Sequence, residues 1–250
     1  MTMSVTGKHA LVTGGGSGIG ATIALALAEA GAAVTICGRR QQQLDEVAAR
    51  HKNIHPEVAD VTDQKSIAQL YSHDTFDIVV ANAGGAESAP AEKISAELWT
   101  KTLNVNLTGA FFSVQPAIAG MRAKKWGRIV FIASTAGIRA APYIAPYVAA
   151  KHGVIGLMRT LALETAKDGI TVNAVCPSYT ETPMLEQAVG RIVATTKRSE
   201  TEARALLAAR NPQGRFITPQ EVADTVLWLC TEGATSITGQ AISLSGGETW

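Results

Sequence analysis

Residues 9–20 read HALVTGGGSGIG, and a helical pattern rich in alanine follows directly as ATIALALAEA. A short apolar strand pattern therefore enters a helix through a cluster of glycines. Glycines let the backbone turn tightly, and the free N–H groups at a helix N-terminus favour a phosphate group. We expect a phosphate-binding turn here, with a merely structural turn as the alternative, and its candidate contacts are Gly14, Gly16, Ser17, Gly18, Ile19 and Gly20.

The spacing within this cluster narrows the class of ligand. A strict G-x-G-x-x-G match is absent, because Ser17 and Ile19 fall where that pattern requires glycine. The pattern present is T-G-x-x-x-G-x-G, with glycines at Gly14, Gly18 and Gly20. No Gly-Lys-Ser/Thr ending follows, which excludes the phosphate loop of nucleoside triphosphatases. The position of the turn between a first strand and a first helix favours a dinucleotide.

Short apolar runs alternate with longer helical patterns along the rest of the chain, which is typical of repeated βαβ units. We predict seven strands, at residues 9–13, 33–37, 54–58, 76–81, 128–134, 171–176 and 240–243. Helices are predicted at residues 18–30, 42–51, 63–71, 96–124, 146–167 and 219–230. The expected fold is a Rossmann-type doubly wound α/β structure, in which helices cover both faces of a seven-stranded parallel sheet as three layers, α/β/α.

The pattern contains no linker or internal repeat, so we expect one domain over residues 1–250. Residues 180–211 interrupt the alternation, because they are rich in charge and follow the end of a strand. We expect one or two helices there, outside the sheet, as a substrate-binding excursion or lid. Thr218, Pro219 and Glu221 form a well-marked helix start just after it.

The composition bounds the partners. Hydrophobic residues make up 46% and charged residues 17% of the chain, and 22 Lys and Arg balance 21 Asp and Glu. A nearly neutral chain gives no electrostatic case for nucleic acid or an anionic membrane, so a small molecule is the expected partner. No apolar run reaches the roughly 20 residues of a membrane span, and we expect a cytoplasmic protein. Three widely spaced cysteines indicate reduced thiols rather than a disulfide or a metal site.

The end of the second predicted strand bears on which dinucleotide binds. In dinucleotide folds an acidic residue there bonds the ribose 2′-hydroxyl, whereas an arginine accommodates a 2′-phosphate. Gly38 stands where the acid is expected, and Arg39 follows it. This favours NADP(H), with NAD(H) still possible if Arg39 only solvates a loop.

A third pattern concerns the helix predicted at residues 146–167. Tyr147 and Lys151 lie four residues apart, and therefore on one face of that helix. Ser134 stands thirteen residues before Tyr147 at a strand end, and Asn106 lies further upstream in the segment NVNLTG. The alternatives are structural: a strand-end cap for Ser134 and a buried polar bridge for Asn106.

Together these patterns, in this order, resemble the short-chain dehydrogenase/reductase family over essentially the whole chain. The resemblance implies a catalytic tetrad of Asn106, Ser134, Tyr147 and Lys151. It also implies dinucleotide contacts, with the glycine turn on the diphosphate and further contacts from Asp60, Val61, Asn82, Ala83, Gly84, Tyr147, Lys151, Pro177, Thr180 and Thr182. Asn82 has an equally favoured structural role. A homotetramer is expected from the family, and Trp250 at the terminus fits an interface or a frayed end.

Carbonyl reduction requires a hydride on carbon and a proton on oxygen, so an acid must lie within about 3 Å of that oxygen. Tyr147 is the predicted acid, and Lys151 is expected to lower the pKa of the Tyr147 phenol. Ser134 is expected to orient the substrate. Asn106 is expected to stabilise a helix irregularity and a proton-relaying water.

The sequences of residues 147–153 and 173–184 most resemble those of ketoreductases that act on acyl thioesters and polyketides. This resemblance implies an NADP(H)-dependent reductase of a 3-oxoacyl thioester. Four cations are candidates to attract a phosphate of such a substrate, or else are solvated surface charges: Arg139, Lys197, Arg198 and Arg204. The alternatives are an NAD-dependent secondary alcohol dehydrogenase and, from another class, a catalytically silent cofactor-binding scaffold.

Overall fold

A computed structural model describes residues 3–249 and shows a seven-stranded sheet in which every neighbouring pair is parallel. The strand order is β3-β2-β1-β4-β5-β6-β7. The strands are β1 His9–Thr13, β2 Ala33–Gly38, β3 Ile54–Val58, β4 Ile78–Ala81, β5 Gly127–Ile132, β6 Ile170–Pro177 and β7 Ala241–Leu244. The predicted strand count and doubly wound fold are confirmed. Trp250 lies outside the described residues.

Ten α-helices accompany the strands within the described part of the chain. They are α1 Gly18–Glu29, α2 Gln41–Ala48, α3 Gln64–His73, α4 Ala96–Leu103, α5 Gly109–Val114, α6 Ala117–Lys124, α7 Ala145–Thr165, α8 Pro183–Thr195, α9 Glu200–Ala208 and α10 Pro219–Cys230. The helix start predicted at Thr218 is confirmed, since its side chain and that of Glu221 form a reciprocal cap on α10.

Two aliphatic cores lie on opposite faces of the sheet, because successive strand residues point to opposite sides. Ala10 and Val12 pack with residues of α1, α2 and α10, whereas Leu11 packs with residues of α3, α5, α6 and α7. The three-layer prediction is therefore confirmed. The strand order reverses at β1, which pairs with β2 on one side and with β4, reached from β3, on the other. The crevice at the carboxyl end of β1 is therefore the expected ligand position.

The predicted single helix over residues 96–124 is wrong. The structure divides it into α4, a wider π-helical turn at Asn104–Thr108, α5 and α6. Asn106 lies inside the π turn, which agrees with the irregularity expected from the sequence. Pro116 stands between α5 and α6, where its missing N–H interrupts the helical hydrogen bonds.

The excursion at residues 180–211 forms α8 and α9, which lie outside the sheet and share a small apolar cluster of Leu185, Val189, Ala203 and Leu207. Arg191 of α8 donates hydrogen bonds to the backbone carbonyl and hydroxyl of Ser88, in the loop after β4. The excursion therefore reaches across the carboxyl end of the sheet. Within residues 3–249, no helix is long and apolar enough to span a bilayer.

Candidate active site

The glycine turn at the end of β1 is built so that side chains would obstruct it. Gly14 and Gly18 have positive φ angles of 66° and 51°, a region that L side chains rarely adopt. A Cβ atom on Gly20 would lie 2.3 Å from the carbonyl oxygen of Gly14 and 2.5 Å from Nδ2 of Asn82. The turn thus leaves a cradle of bare backbone at the N-terminus of α1, which fits a diphosphate.

Asn82 holds this turn against the neighbouring strand. Its Nδ2 donates to the carbonyl oxygens of Thr13 and Gly14 at 2.9 and 3.3 Å. The hydroxyl oxygen of Thr13 accepts hydrogen bonds from the backbone N–H groups of Asn82 and Ala83, both at 3.0 Å. Asn82 therefore has the structural role that the sequence left open, and it brings the Asn82–Gly84 segment beside the cradle.

We expect the Gly20→Ala variant to bind NADPH at least about tenfold more weakly, since overpacking a tight contact costs about 1–3 kcal/mol. The cause is the added Cβ against the Gly14 carbonyl oxygen. Titration of NADPH fluorescence measures this affinity. Gly120→Ala is the matched control, because a Cβ on Gly120 in α6 meets nothing within 4 Å. Equal affinities of the two variants would contradict the assignment of the cradle.

The end of β2 carries the residues that are predicted from the sequence to favour NADP(H) over NAD(H). Arg39 is exposed there, and Gly38 lies beside Val58 in the register of β2 and β3. Backbone and side-chain hydrogen bonds from Thr62 hold the pKa of Asp60 below its usual value, and the nearby charge of Arg39 lowers it further. Asp60 and Arg39 thus lie close together at the edge of the cradle.

Ser134, Tyr147 and Lys151 converge beyond the end of β5. Ser134 follows the strand, and its hydroxyl oxygen accepts the backbone N–H of Ala136 at 3.1 Å, which is the strand-end cap considered from the sequence. Its side chain also interacts with the phenol of Tyr147. The Nζ atom of Lys151 lies 5.5 Å from the centre of the Tyr147 ring. The sequence spacing therefore brings all three into one cluster.

The electrostatics of this cluster differ from the expectation. Burial raises the pKa of Tyr147 to about 12, against a smaller lowering by the Ser134 hydroxyl. The expected lowering of the pKa of Tyr147 by Lys151 is outweighed by burial of the phenol, and the Nζ atom of the buried Lys151 instead donates to the carbonyl oxygen of Ile132 at 2.8 Å. Burial lowers the pKa of Lys151 to about 8. At neutral pH both groups hold their protons.

Asn106 is buried in the π turn, which packs against helix α7. Its Nδ2 donates to the carbonyl oxygens of Thr102 and Gly85, both at 2.9 Å, and its Oδ1 accepts the N–H of Gly85 at 3.2 Å. Gly84 is needed beside it, since a Cβ there would lie 2.7 Å from Oδ1. Asn106 therefore joins the π turn to the loop after β4.

The segment after β6 closes the other side of the cleft. The Ser134 hydroxyl points to the carbonyl oxygen of Pro177 at 3.5 Å. Thr180 is buried, and the hydroxyl of Thr182 donates to its carbonyl oxygen at 3.1 Å. A Cβ on Gly18 would lie 3.4 Å from the methyl carbon of Thr182, so this segment reaches the glycine turn.

The arrangement fits a nicotinamide dinucleotide. The bare glycine cradle has room for the diphosphate of the dinucleotide. Arg39, at the end of β2, lies where the adenosine end of the dinucleotide would bind. The Pro177–Thr182 segment lies where the nicotinamide end would bind, beside the Ser134 cluster. Sequence reasoning did not single out Glu248, whose buried carboxylate touches Ser178 in this segment. Only the adjacent Gly246-Gly247 pair marks a turn there in the sequence. In the described part of the chain, no cluster of His, Cys, Asp or Glu is arranged to hold a metal.

Comparisons with known proteins agree with this geometry. A family model described as short chain dehydrogenase matches residues 8–192. D-beta-hydroxybutyrate dehydrogenase of Rhizobium meliloti is 38% identical, over 97% of this chain and 98% of the relative. The 3-oxoacyl-(acyl-carrier-protein) reductase FabG of Thermotoga maritima is 34% identical, over 98% and 99%.

A crystal structure of a point variant of actinorhodin polyketide ketoreductase with NADPH superposes with a TM-score of 0.91. Its sequence is 36% identical, and the match covers 99% of this chain and 98% of that one. The family is indicated by the fold, by the family model, and by relatives that are more than 30% identical over nearly their whole length. The chain is an oxidoreductase that belongs to the short-chain dehydrogenase/reductase family.

Proposed function

We propose that the protein is an NADP(H)-dependent reductase that converts a ketone, of the 3-oxoacyl thioester class, to a secondary alcohol. The observation that carries the proposal is the cluster of Ser134, Tyr147 and Lys151 beside the glycine cradle. The raised pKa of Tyr147, about 12, keeps its phenol protonated at neutral pH, and reduction requires a proton donor.

A nicotinamide dinucleotide held by the glycine cradle and the Pro177–Thr182 segment would supply the hydride that the carbonyl carbon receives. Tyr147 donates its phenolic proton to the carbonyl oxygen as negative charge develops there. Ser134 orients the same oxygen by a hydrogen bond and, with Tyr147, forms a preorganised pair that stabilises the charge. Both side chains are held before the reaction, Ser134 by the N–H of Ala136 and Tyr147 on helix α7.

Lys151 replaces the proton that Tyr147 gives up. Its pKa of about 8 leaves the ammonium charged at neutral pH, yet close enough to neutrality to release a proton. Asn106 acts as a positioning residue, because its contacts fix the loop after β4 against the π turn. A water held by Asn106, through which protons reach Lys151, belongs to the proposal as well.

The 3-oxoacyl thioester class is supported by resemblance to the FabG reductase and the polyketide ketoreductase. Of the four candidate cations, two already have acidic partners. Arg204 pairs with Glu186 and Glu200, and Arg139 lies near Glu248. Lys197 and Arg198, exposed between α8 and α9, are therefore the better candidates to attract a substrate phosphate.

The second candidate is an NAD-dependent secondary alcohol dehydrogenase, and the similarity to D-beta-hydroxybutyrate dehydrogenase favours it. Gly38-Arg39 argues for NADP(H) instead. A catalytically silent cofactor-binding scaffold does not require Ser134, Tyr147 and Lys151 in one cluster.

A substrate panel separates these candidates. Purified protein is assayed with NADPH and NADH against acetoacetyl-CoA, simple ketones and a 3-oxoacid, and in reverse with the corresponding alcohols. We expect the highest kcat/KM with NADPH and the thioester. Faster turnover of the free hydroxyacid with NAD would select the dehydrogenase, and no turnover with any pair would select the scaffold.

The buried ammonium of Lys151 predicts a pH dependence of stability. Burial lowers its pKa from 10.5 to about 8, so between these pH values the unfolded chain binds more protons than the folded one. The free energy of unfolding therefore gains a contribution on the order of 3 kcal/mol as pH rises through this window. The penalty is fully present below pH about 8.

Lys151→Met removes this contribution. We expect the free energy of urea unfolding of nucleotide-free wild type to rise by about 2 kcal/mol relative to that of the variant between pH 8 and 10. Three buried cysteines, whose pKa values are raised to about 12, lower the stability of both proteins in the same range. Lys65→Met, on the exposed side of α3, is the control that should keep the wild-type slope. The same slope in Lys151→Met and wild type would show that Lys151 is not the buried cation responsible.

We also propose that the chain forms a single domain and assembles as a homotetramer. Leu163 on α7 is 84% exposed and Trp99 on α4 is 41% exposed, so these neighbouring helices present apolar surface. Light scattering tests the assembly. A cytoplasmic location stays a prediction from the sequence.

A further inference from the structure

The turn that follows β7 returns the chain to the active-site end of the sheet. Gly246 and Gly247 have φ angles of 58° and 98°, which only glycine adopts without strain. A Cβ on Gly246 would lie 1.9 Å from Oδ1 of Asn211, a buried side chain just after α9. The turn is thus packed tightly, and it fixes the position of Glu248.

Glu248 carries a carboxylate whose side chain is only 5% exposed. Its Oε2 accepts a hydrogen bond from the Ser178 hydroxyl at 2.5 Å. Its Oε1 lies 3.7 Å from NH1 of Arg139, and the same nitrogen donates to the Glu248 carbonyl oxygen at 3.3 Å. A buried carboxylate is unfavourable unless it is paired, so these two partners account for its presence.

Both partners belong to segments that flank Ser134. Arg139 lies in the loop that runs from Ser134 to helix α7, and its backbone N–H donates to the Thr135 carbonyl oxygen at 2.9 Å. Ser178 directly follows Pro177, whose carbonyl oxygen faces the Ser134 hydroxyl. The Ser178 N–H donates to the Leu244 carbonyl oxygen at 2.9 Å, which ties the same segment to β7.

The charge of Glu248 also affects the pKa of Tyr179, the residue after Ser178. Burial raises the pKa of Tyr179, Arg210 opposes this, and the carboxylate of Glu248 raises it further. Tyr179 in turn contributes to the raised pKa of Tyr147. Tyr179 is therefore an electrostatic neighbour of both Glu248 and Tyr147.

We propose that Glu248 is a positioning residue, which clamps the β6 segment and the Ser134 loop at a fixed separation around the substrate carbonyl. It acts through Ser178 and Arg139. The inference rests on the proposed function, because the separation matters only if Ser134 and Tyr147 address one carbonyl oxygen.

Steady-state kinetics of Glu248→Gln, Ser178→Ala and the double variant test the clamp. We expect kcat with the ketone to fall by about 10- to 100-fold in Glu248→Gln, since small displacements of reacting groups cost up to about 10²-fold. NADPH affinity should fall by a smaller factor than kcat, because the glycine cradle is untouched and only the Pro177–Thr182 segment is released. Glu232→Gln is the matched control, as Glu232 bonds Trp126 far from this loop.

The double variant separates a clamp from general destabilisation. If Glu248 acts through Ser178, the double variant should lose no more than about twofold beyond Glu248→Gln alone. Fully multiplicative losses would overturn the coupling. If Glu248→Gln does not fold, Ser178→Ala keeps the carboxylate with Arg139 and should by itself lower kcat by a larger factor than it lowers NADPH affinity.

Hydrogen exchange provides a readout that does not require turnover. In nucleotide-free Glu248→Gln, the peptide containing the Ser178 and Tyr179 amides should exchange at least about tenfold faster than in wild type, and that peptide in Glu232→Gln should not change. Unchanged exchange would refute the clamp even if activity fell. If wild type reduces no ketone but the exchange result holds, the proposed function fails while the clamp remains.

Discussion

Replacing Tyr147 with Phe is expected to lower kcat for ketone reduction by about 10²- to 10⁴-fold, the range that a positioned acid contributes. The substitution removes only the phenolic oxygen, and with it the proton that the carbonyl oxygen receives. Because the ring remains on α7, we expect NADPH binding to change by less than about twofold. Stopped-flow absorbance of NADPH oxidation measures the chemical step.

Tyr71→Phe is the control for this experiment. The Tyr71 hydroxyl donates to the Ser113 carbonyl oxygen at 2.6 Å, away from the Ser134 cluster. Its loss should cost about 1 kcal/mol of stability and leave kcat unchanged. If Tyr147→Phe retained more than about a tenth of wild-type kcat, Tyr147 would not be the proton donor.

The second large effect is expected from Gly38→Asp. A Cβ on Gly38 meets only the Leu44 Cδ2 atom at 3.7 Å, so the structure has room for the carboxylate there. The new charge would repel a 2′-phosphate and accept a hydrogen bond from a 2′-hydroxyl. We expect the ratio of kcat/KM for NADPH to that for NADH to fall by about 10²-fold, since like charges in contact cost several kcal/mol.

Gly120→Asp adds the same charge on α6 and should leave the cofactor ratio unchanged. Arg39→Gln should move the ratio in the same direction as Gly38→Asp, because it removes the guanidinium that the phosphate would meet. A ratio unaffected by Gly38→Asp would place the 2′ position of the ribose elsewhere.

The sheet was predictable because parallel strands buried on both faces leave short continuous apolar runs. Those runs located all seven strands to within a few residues. The cap on α10 was equally visible, since Thr218 and Glu221 act locally. Clustering of Ser134, Tyr147 and Lys151 could be predicted from the family spacing, and the structure brings them together.

Features that depend on distant contacts were not predictable from local patterns. The interruption at Asn104–Thr108 is stabilised by Asn106 bonding to Gly85, twenty-one residues away. The raised pKa of Tyr147 reflects burial that helical spacing does not reveal. Glu248 could not be identified because its partners, Ser178 and Arg139, lie 70 and 109 residues away in sequence.

The most direct test of the proposed function follows a labelled hydride. Wild-type protein is incubated with NADPH carrying deuterium at nicotinamide C4, on the face that is transferred, and acetoacetyl-CoA in ordinary water. The product is analysed by mass spectrometry. We expect a 3-hydroxyacyl thioester with one deuterium on C3, formed much faster than with labelled NADH and about 10²- to 10⁴-fold more slowly in Tyr147→Phe. Absence of labelled alcohol from acetoacetyl-CoA and from every ketone of the panel, with either cofactor, would contradict the proposed function.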